Sequence, residues 1–130
     1  MRSRQKTATL PHVTQILLIE DDRPIRDLIR DVLSDEGYEL IFVDDLEHAA
    51  AVATPDLVIT DLGGLHGYDR RLARALVVRV QQRFPETPII VCTAHEQAMQ
   101  ETDRLGAEAV LHKPFPIEAL IETVARLCAG

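Results

Sequence analysis

The chain has 130 residues, which fits one ordinary domain and buries enough surface to fold without disulfides or a structural metal. It is 46% apolar and 27% charged, which excludes a disordered chain, and no apolar run approaches the ~18 residues of a membrane span. The formal charge is −7; residues 1–14 hold Arg2, Arg4 and Lys6 and no acid, so residues 15–130 carry −10, which argues against direct nucleic-acid binding by the domain.

No apolar stretch follows the basic start, so it does not read as a secretory signal. It reads as a flexible basic tail over 1–14, ahead of one domain over 15–130. From there five short apolar runs alternate with five segments of helical period. The first run is 16–19 and reads as a strand buried on both faces, as do the later runs 40–43, 57–59, 89–92 and 110–111. The first helical stripe is Ile25, Leu28, Ile29, Val32 and Leu33, with Pro24 in its first turn and Gly37 past its end. A short helix is predicted over 46–53, with Asp44 and Asp45 as caps. Leu72, Ala75, Leu76, Arg79 and Val80 predict a third helix ending before Pro85. Residues 97–105 form a polar, weakly periodic fourth. Ile117, Leu120, Ile121, Val124, Leu127 and Cys128 form a strong last stripe, with Pro116 suited to its first turn.

A βαβαβαβαβα pattern with right-handed crossovers gives a parallel sheet with helices on both faces. Five strands suit the doubly wound, flavodoxin-like order 2-1-3-4-5. Cys92 and Cys128 lie in apolar runs without metal or redox spacing, and read as small hydrophobes of a cytoplasmic chain.

Ligands of such sheets bind beyond the carboxyl ends of the strands. There the sequence places Glu20, Asp21 and Asp22 after the first strand and Asp61 after the third. Thr93 and Ala94 follow the fourth, and His112, Lys113 and Pro114 the fifth. Two carboxylates ~4 Å apart repel by roughly 4 kcal/mol at an effective dielectric of 20, so a packed acidic set calls for cations. Lys113 supplies one charge, and Mg2+ suits few carboxylates with retained waters. Taken singly, each acid also reads as a solvated loop start.

Four segments carry a resemblance. ILLIEDDRPIRDLI, PDLVITD, TPIIVCTA and GAEAVLHKPF, in that order, resemble the receiver domains of response regulators, the CheY-like family, over about residues 15–128. The resemblance implies that Asp61 accepts a phosphoryl group, with Thr93 and Lys113 binding its oxygens. It implies Mg2+ held by Glu20, Asp21, Asp61 and the carbonyl of Gly63, with Glu20 acting directly or through water. Asp22 is then a helix-terminus acid. Implied partners are a sensor histidine kinase or phosphotransfer protein, a downstream protein target and a second copy of the chain, with no membrane. The implied role is a signalling switch rather than a metabolic enzyme. The open alternatives are a pseudo-receiver that is not normally phosphorylated, and the receiver part of a longer DNA-binding regulator. The Lys113–Pro114 bond resembles a cis site of the family.

Two departures stand out. The family pattern D-x-x-x-P-x-x-(D/N)-G is here Asp61-Leu62-Gly63-Gly64-Leu65-His66-Gly67-Tyr68-Asp69, without the proline and with three glycines. Val110 stands where the family often has an aromatic switch. His95 borders the implied phosphoryl site, while His66 and His112 read as a solvated and a structural histidine. Glycine raises the entropy cost of ordering the loop. Leu65→Pro is therefore expected to tighten Mg2+ binding in a calorimetric titration; unchanged affinity would show that loop freedom does not limit it.

Overall fold

Successive strand residues point to opposite faces of a sheet, and here that alternation sorts the apolar side chains into two cores. The computed structural model describes residues 12–62 and 67–129. Five parallel strands form one sheet in the order 2-1-3-4-5, as expected: β1 (Gln15–Ile19), β2 (Glu39–Val43), β3 (Leu57–Asp61), β4 (Ile89–Thr93) and β5 (Ala109–His112). On one face Ile16, Leu18, Ile59, Ile90 and Leu111 pack under α1 (Arg23–Asp35) and α5 (Ile117–Cys128), which bury Ile29, Leu33, Leu120 and Val124. On the other, Leu17, Val58 and Val91 pack under α2 (Arg70–Arg83), α3 (Glu96–Met99) and α4 (Thr102–Leu105). Each buried branched side chain contributes roughly 1.5–3 kcal/mol.

Helix starts follow their caps. The Asp22 carboxylate accepts from the Ile25 N–H at 3.2 Å, and Pro24 sits in the first turn of α1. Asp69 accepts from the Arg71 and Leu72 N–H groups at 2.9 and 3.3 Å and so starts α2. Pro116 stands one residue before α5, at the cap rather than in the first turn. Gly37, with φ +95°, turns the chain out of α1.

Three further expectations need correction. The short helix over 46–53 is a 3-10 turn over Leu46–Ala51. Asp45 caps it through the His48 N–H, and the chain is extended again at Val52, so the helix stops two residues short of the expected end at 53. The α2 residue Arg83 then secures the connection by donating to the carbonyls of Ala49 and Val52. The helix over 97–105 is two four-residue pieces, broken at Gln100–Glu101, with 3-10-type bonds from Gln100 N–H to Gln97 and from Glu101 N–H to Ala98. β2 is not buried on both faces. It pairs with β1 alone at the sheet edge, and its residues are exposed or half-buried.

Cys92 is buried and Cys128 half-buried, and neither is in a disulfide. Residues 1–11, which hold Arg2, Arg4 and Lys6, lie outside the described residues. His12, just inside them, meets Asp56 at 2.8 Å.

Gly106 ends α4 in the left-handed region at φ +82°, where any L side chain is strained. A methyl group there would also collide with the Arg74 guanidinium, which donates to the Leu105 carbonyl; Gln81 donates to the Gly106 carbonyl. Gly106→Ala is expected to lower stability by about 2 kcal/mol in urea unfolding. Gly37→Ala, which has open space, should cost about 1 kcal/mol from backbone strain alone.

Candidate functional site

The parallel register delivers the chemical groups to one edge. β1 ends at Ile19, so Glu20 is the first residue past it, and its N–H still donates to the Val43 carbonyl at 3.2 Å. Asp61 is the last residue of β3, opposite Cys92 of β4. Thr93 ends β4, and its carbonyl accepts from the Lys113 N–H at 2.7 Å, which extends the β4–β5 ladder by one residue. The Lys113–Pro114 peptide is cis.

Within this edge the Lys113 ammonium donates to Glu20 Oε1 at 2.8 Å, and the Asp22 N–H donates to Glu20 Oε2 at 3.2 Å. Glu20 is only 1% exposed, so a buried carboxylate has both oxygens occupied. Ligand atoms of Glu20, Asp21 and Asp61 lie within 4.8 Å of one another. Burial, then the hydrogen bond and charge of Glu20, push the Asp61 carboxyl up to about 7, against the opposing pull of Lys113. The three carboxylates carry more charge than one ammonium balances. That excess, and the all-oxygen donor set, fit a small divalent cation such as Mg2+.

Thr93 is buried, and its Oγ1 accepts from the His95 N–H at 3.0 Å. The hydroxyl proton is therefore left to donate elsewhere. Asp22 caps α1, as expected, rather than joining the acidic cluster. His112 donates from Nε2 to the Ala94 carbonyl at 3.2 Å, which agrees with a structural role. Gly63, Gly64, Leu65 and His66 lie outside the described residues, and with them the carbonyl ligand expected at Gly63. The Cys92 thiol is pushed up to about 12 by burial, which removes it as a nucleophile at neutral pH. Val110 is buried in the α2 face and leaves no aromatic ring at its position.

One cluster escaped the sequence reading. The Tyr68 hydroxyl donates to Glu101 Oε1 at 2.6 Å, and Arg70 Nη1 holds Glu101 Oε2 at 3.0 Å. The Tyr68 ring lies 6.1 Å from the His95 ring. Tyr68 offered a signal, because it fills a position where the receiver pattern carries Asp or Asn. Glu101, inside an expected helix, offered none.

Comparison with known proteins agrees with this geometry. The family model for the response regulator receiver domain matches residues 16–125. The response regulator protein FleR of Pseudomonas aeruginosa is 35% identical over 124 residues, covering 89% of this chain and 25% of FleR. The phosphate regulon transcriptional regulatory protein PhoB of the same organism is 35% identical over 121 residues, covering 88% of this chain and 50% of PhoB. The chain thus spans between a quarter and half the length of these relatives. Among solved structures, the chemotaxis response regulator CheY4 of Vibrio cholerae superposes with a TM-score of 0.69 at 29% identity, covering 89% of this chain and 99% of that one. NtrX of Brucella abortus gives 0.74 at 28% identity over 91% of this chain and 26% of its own. Receiver domains generally bind Mg2+ at an acidic pocket, and the family works with histidine kinases and downstream targets. Sheet order, acidic edge and sequence match together place the chain in the response regulator receiver domain family.

Proposed function

We propose that this domain is a phosphoacceptor switch of a two-component phosphorelay, with Asp61 as the accepting residue. The observation that carries the reading is the convergence of Glu20, Asp21 and Asp61 beside a buried Lys113. An Asp61 oxygen attacks the phosphorus of a partner's phosphohistidine. The O–P bond forms as the N–P bond breaks, and the electron pair leaves with the imidazole. Lys113, freed from Glu20, pairs with one phosphoryl oxygen, and the Thr93 hydroxyl donates to another. Glu20, Asp21 and Asp61 would hold Mg2+, with the Gly63 carbonyl as a further ligand. That ion would supply positive charge against the oxygens of the transferring group. Beside Lys113 a groove of about 460 Å³, lined by Asp22, Ile25, Leu28, Ala94, Pro114 and Phe115, offers an apolar surface to the phosphodonor protein. The output is a change in protein binding. In relatives two to four times as long, such as the transcriptional regulator PhoB, the receiver is one part of the chain. The same part-of-a-longer-regulator arrangement suits this domain.

The chemistry is tested by intact mass after incubation with magnesium chloride and acetyl phosphate. A phosphoryl adduct is expected on the wild type, and it should vanish with Asp61→Asn and with chelation. No adduct, together with no Mg2+ binding, would favour a pseudo-receiver that acts as a binding module.

A second test uses the raised Asp61 pKa. Its proton competes with metal below about pH 7, so Mg2+ affinity is expected to fall toward tenfold per pH unit as the pH drops from there. Stability without divalent ions has a related sign. The folded state holds this proton more tightly than the unfolded chain, so the contribution of Asp61 to stability is lost as pH rises from about 4 to about 7. Asp61→Asn should therefore be the more stable protein at pH 8, by about 1–2 kcal/mol after allowing for partial solvent screening. A less stable variant would refute the repulsion argument.

A further inference from the structure

Tyr68 touches the segment between β4 and β5 at two points. Its ring meets His95, the residue before α3, and its hydroxyl meets Glu101, in the break before α4. The Glu101 side chain makes no capping bond to α4. Its oxygens go instead to Tyr68 at 2.6 Å and Arg70 at 3.0 Å, the two residues flanking Asp69 at the start of α2, with Arg104 at 3.7 Å. These contacts hold the Glu101 carboxyl below its usual range. Burial and Glu101 push the Tyr68 phenol up to about 12, so at neutral pH the hydroxyl keeps the proton that makes the bond. A hydroxyl–carboxylate bond of this kind is among the stronger ones a protein makes.

The same segment reaches the chemical edge. The His95 N–H is the donor to Thr93 Oγ1. Tyr68 therefore stands one residue away from the Thr93 hydroxyl, although it makes no contact with the acidic cluster among the described hydrogen bonds and ring contacts. A shift of Thr93 toward Asp61 must either stretch the His95–Thr93 bond or draw His95 along, which alters its contact with the Tyr68 ring.

We infer that Tyr68 is a positioning residue, which acts through His95 and Glu101 to hold the α3–α4 segment, and with it Thr93, in the resting arrangement. The inference rests on the phosphoacceptor reading above and adds to it a residue that sets the balance between the two states. A bond made in the resting state and broken in the other biases the equilibrium by its own free energy. Removing it therefore favours the phosphorylated arrangement.

The probe is beryllium fluoride with magnesium chloride, a stable stand-in for the phosphoryl group, titrated by NMR into the wild type, Tyr68→Phe, Glu101→Ala and the double variant. Tyr68→Phe keeps the ring and its packing. Each single variant is expected to bind the probe about three- to tenfold more tightly, and the double variant no more tightly than either. Amide exchange over 95–105 should quicken in the free variants while α5 is unchanged, a readout that needs no bound probe. A wild type that binds, beside Tyr68→Phe with equal or weaker affinity, overturns the inference, as do fully additive effects. A wild type that takes up no beryllium fluoride while binding Mg2+ sinks the phosphoacceptor reading and this inference with it.

Discussion

Everything at the carboxyl edge of the sheet is arranged around the bond between Lys113 and Glu20. A carboxylate that is 1% exposed cannot stand without a partner, and here the partner arrives from residue 113, at the far end of the sheet order. The lysine is delivered by the β4–β5 ladder, which continues one bond beyond the strands to the Thr93 carbonyl. The pair leaves Asp61 crowded and undercompensated, and its carboxyl holds a proton well above the usual range. Edge and sheet are thus mutually dependent: the register makes the charge cluster, and the cluster's imbalance makes a place for a cation.

Much of this was readable from residues. Short β-branched runs, helical stripes and acids at strand ends gave the topology and brought Glu20, Asp21, Asp61, Thr93 and Lys113 to one edge, because strand order and crossover handedness leave little freedom. The two helical segments that depart from expectation share a cause. Residues 46–53 and 97–105 lack a strong apolar stripe, so side chains elsewhere decide their shape: Asp45 and Arg83 for the first, Tyr68 and Arg70 for the second. β2 misled for another reason. Its composition is that of a central strand, and only the strand order makes it an edge.

The Tyr68–Glu101 contact illustrates what local patterning leaves unread. The two residues are 33 positions apart, and neither belongs to a periodic stripe. Their meeting depends on where α2 begins, which Asp69 fixes by capping, and on where the segment after β4 breaks. A residue type unusual for its position, Tyr68, is the one clue in the sequence.

The break between α3 and α4 has a consequence for how the molecule is assembled. Helices of four residues are far below the length that persists alone in water. The order of this stretch is borrowed: Arg74 and Gln81 of α2 hold its end at Leu105 and Gly106, while Ala98 and Leu105 find cover only in the finished core. Those contacts join residues 25 to 31 positions apart, so the stretch is ordered only where α2 lies docked on the sheet. The stretch beside Thr93 thus owes its shape to α2 and the core beneath it rather than to its own helical bonds, so a change in how α2 sits would be felt there before it is felt in the sheet.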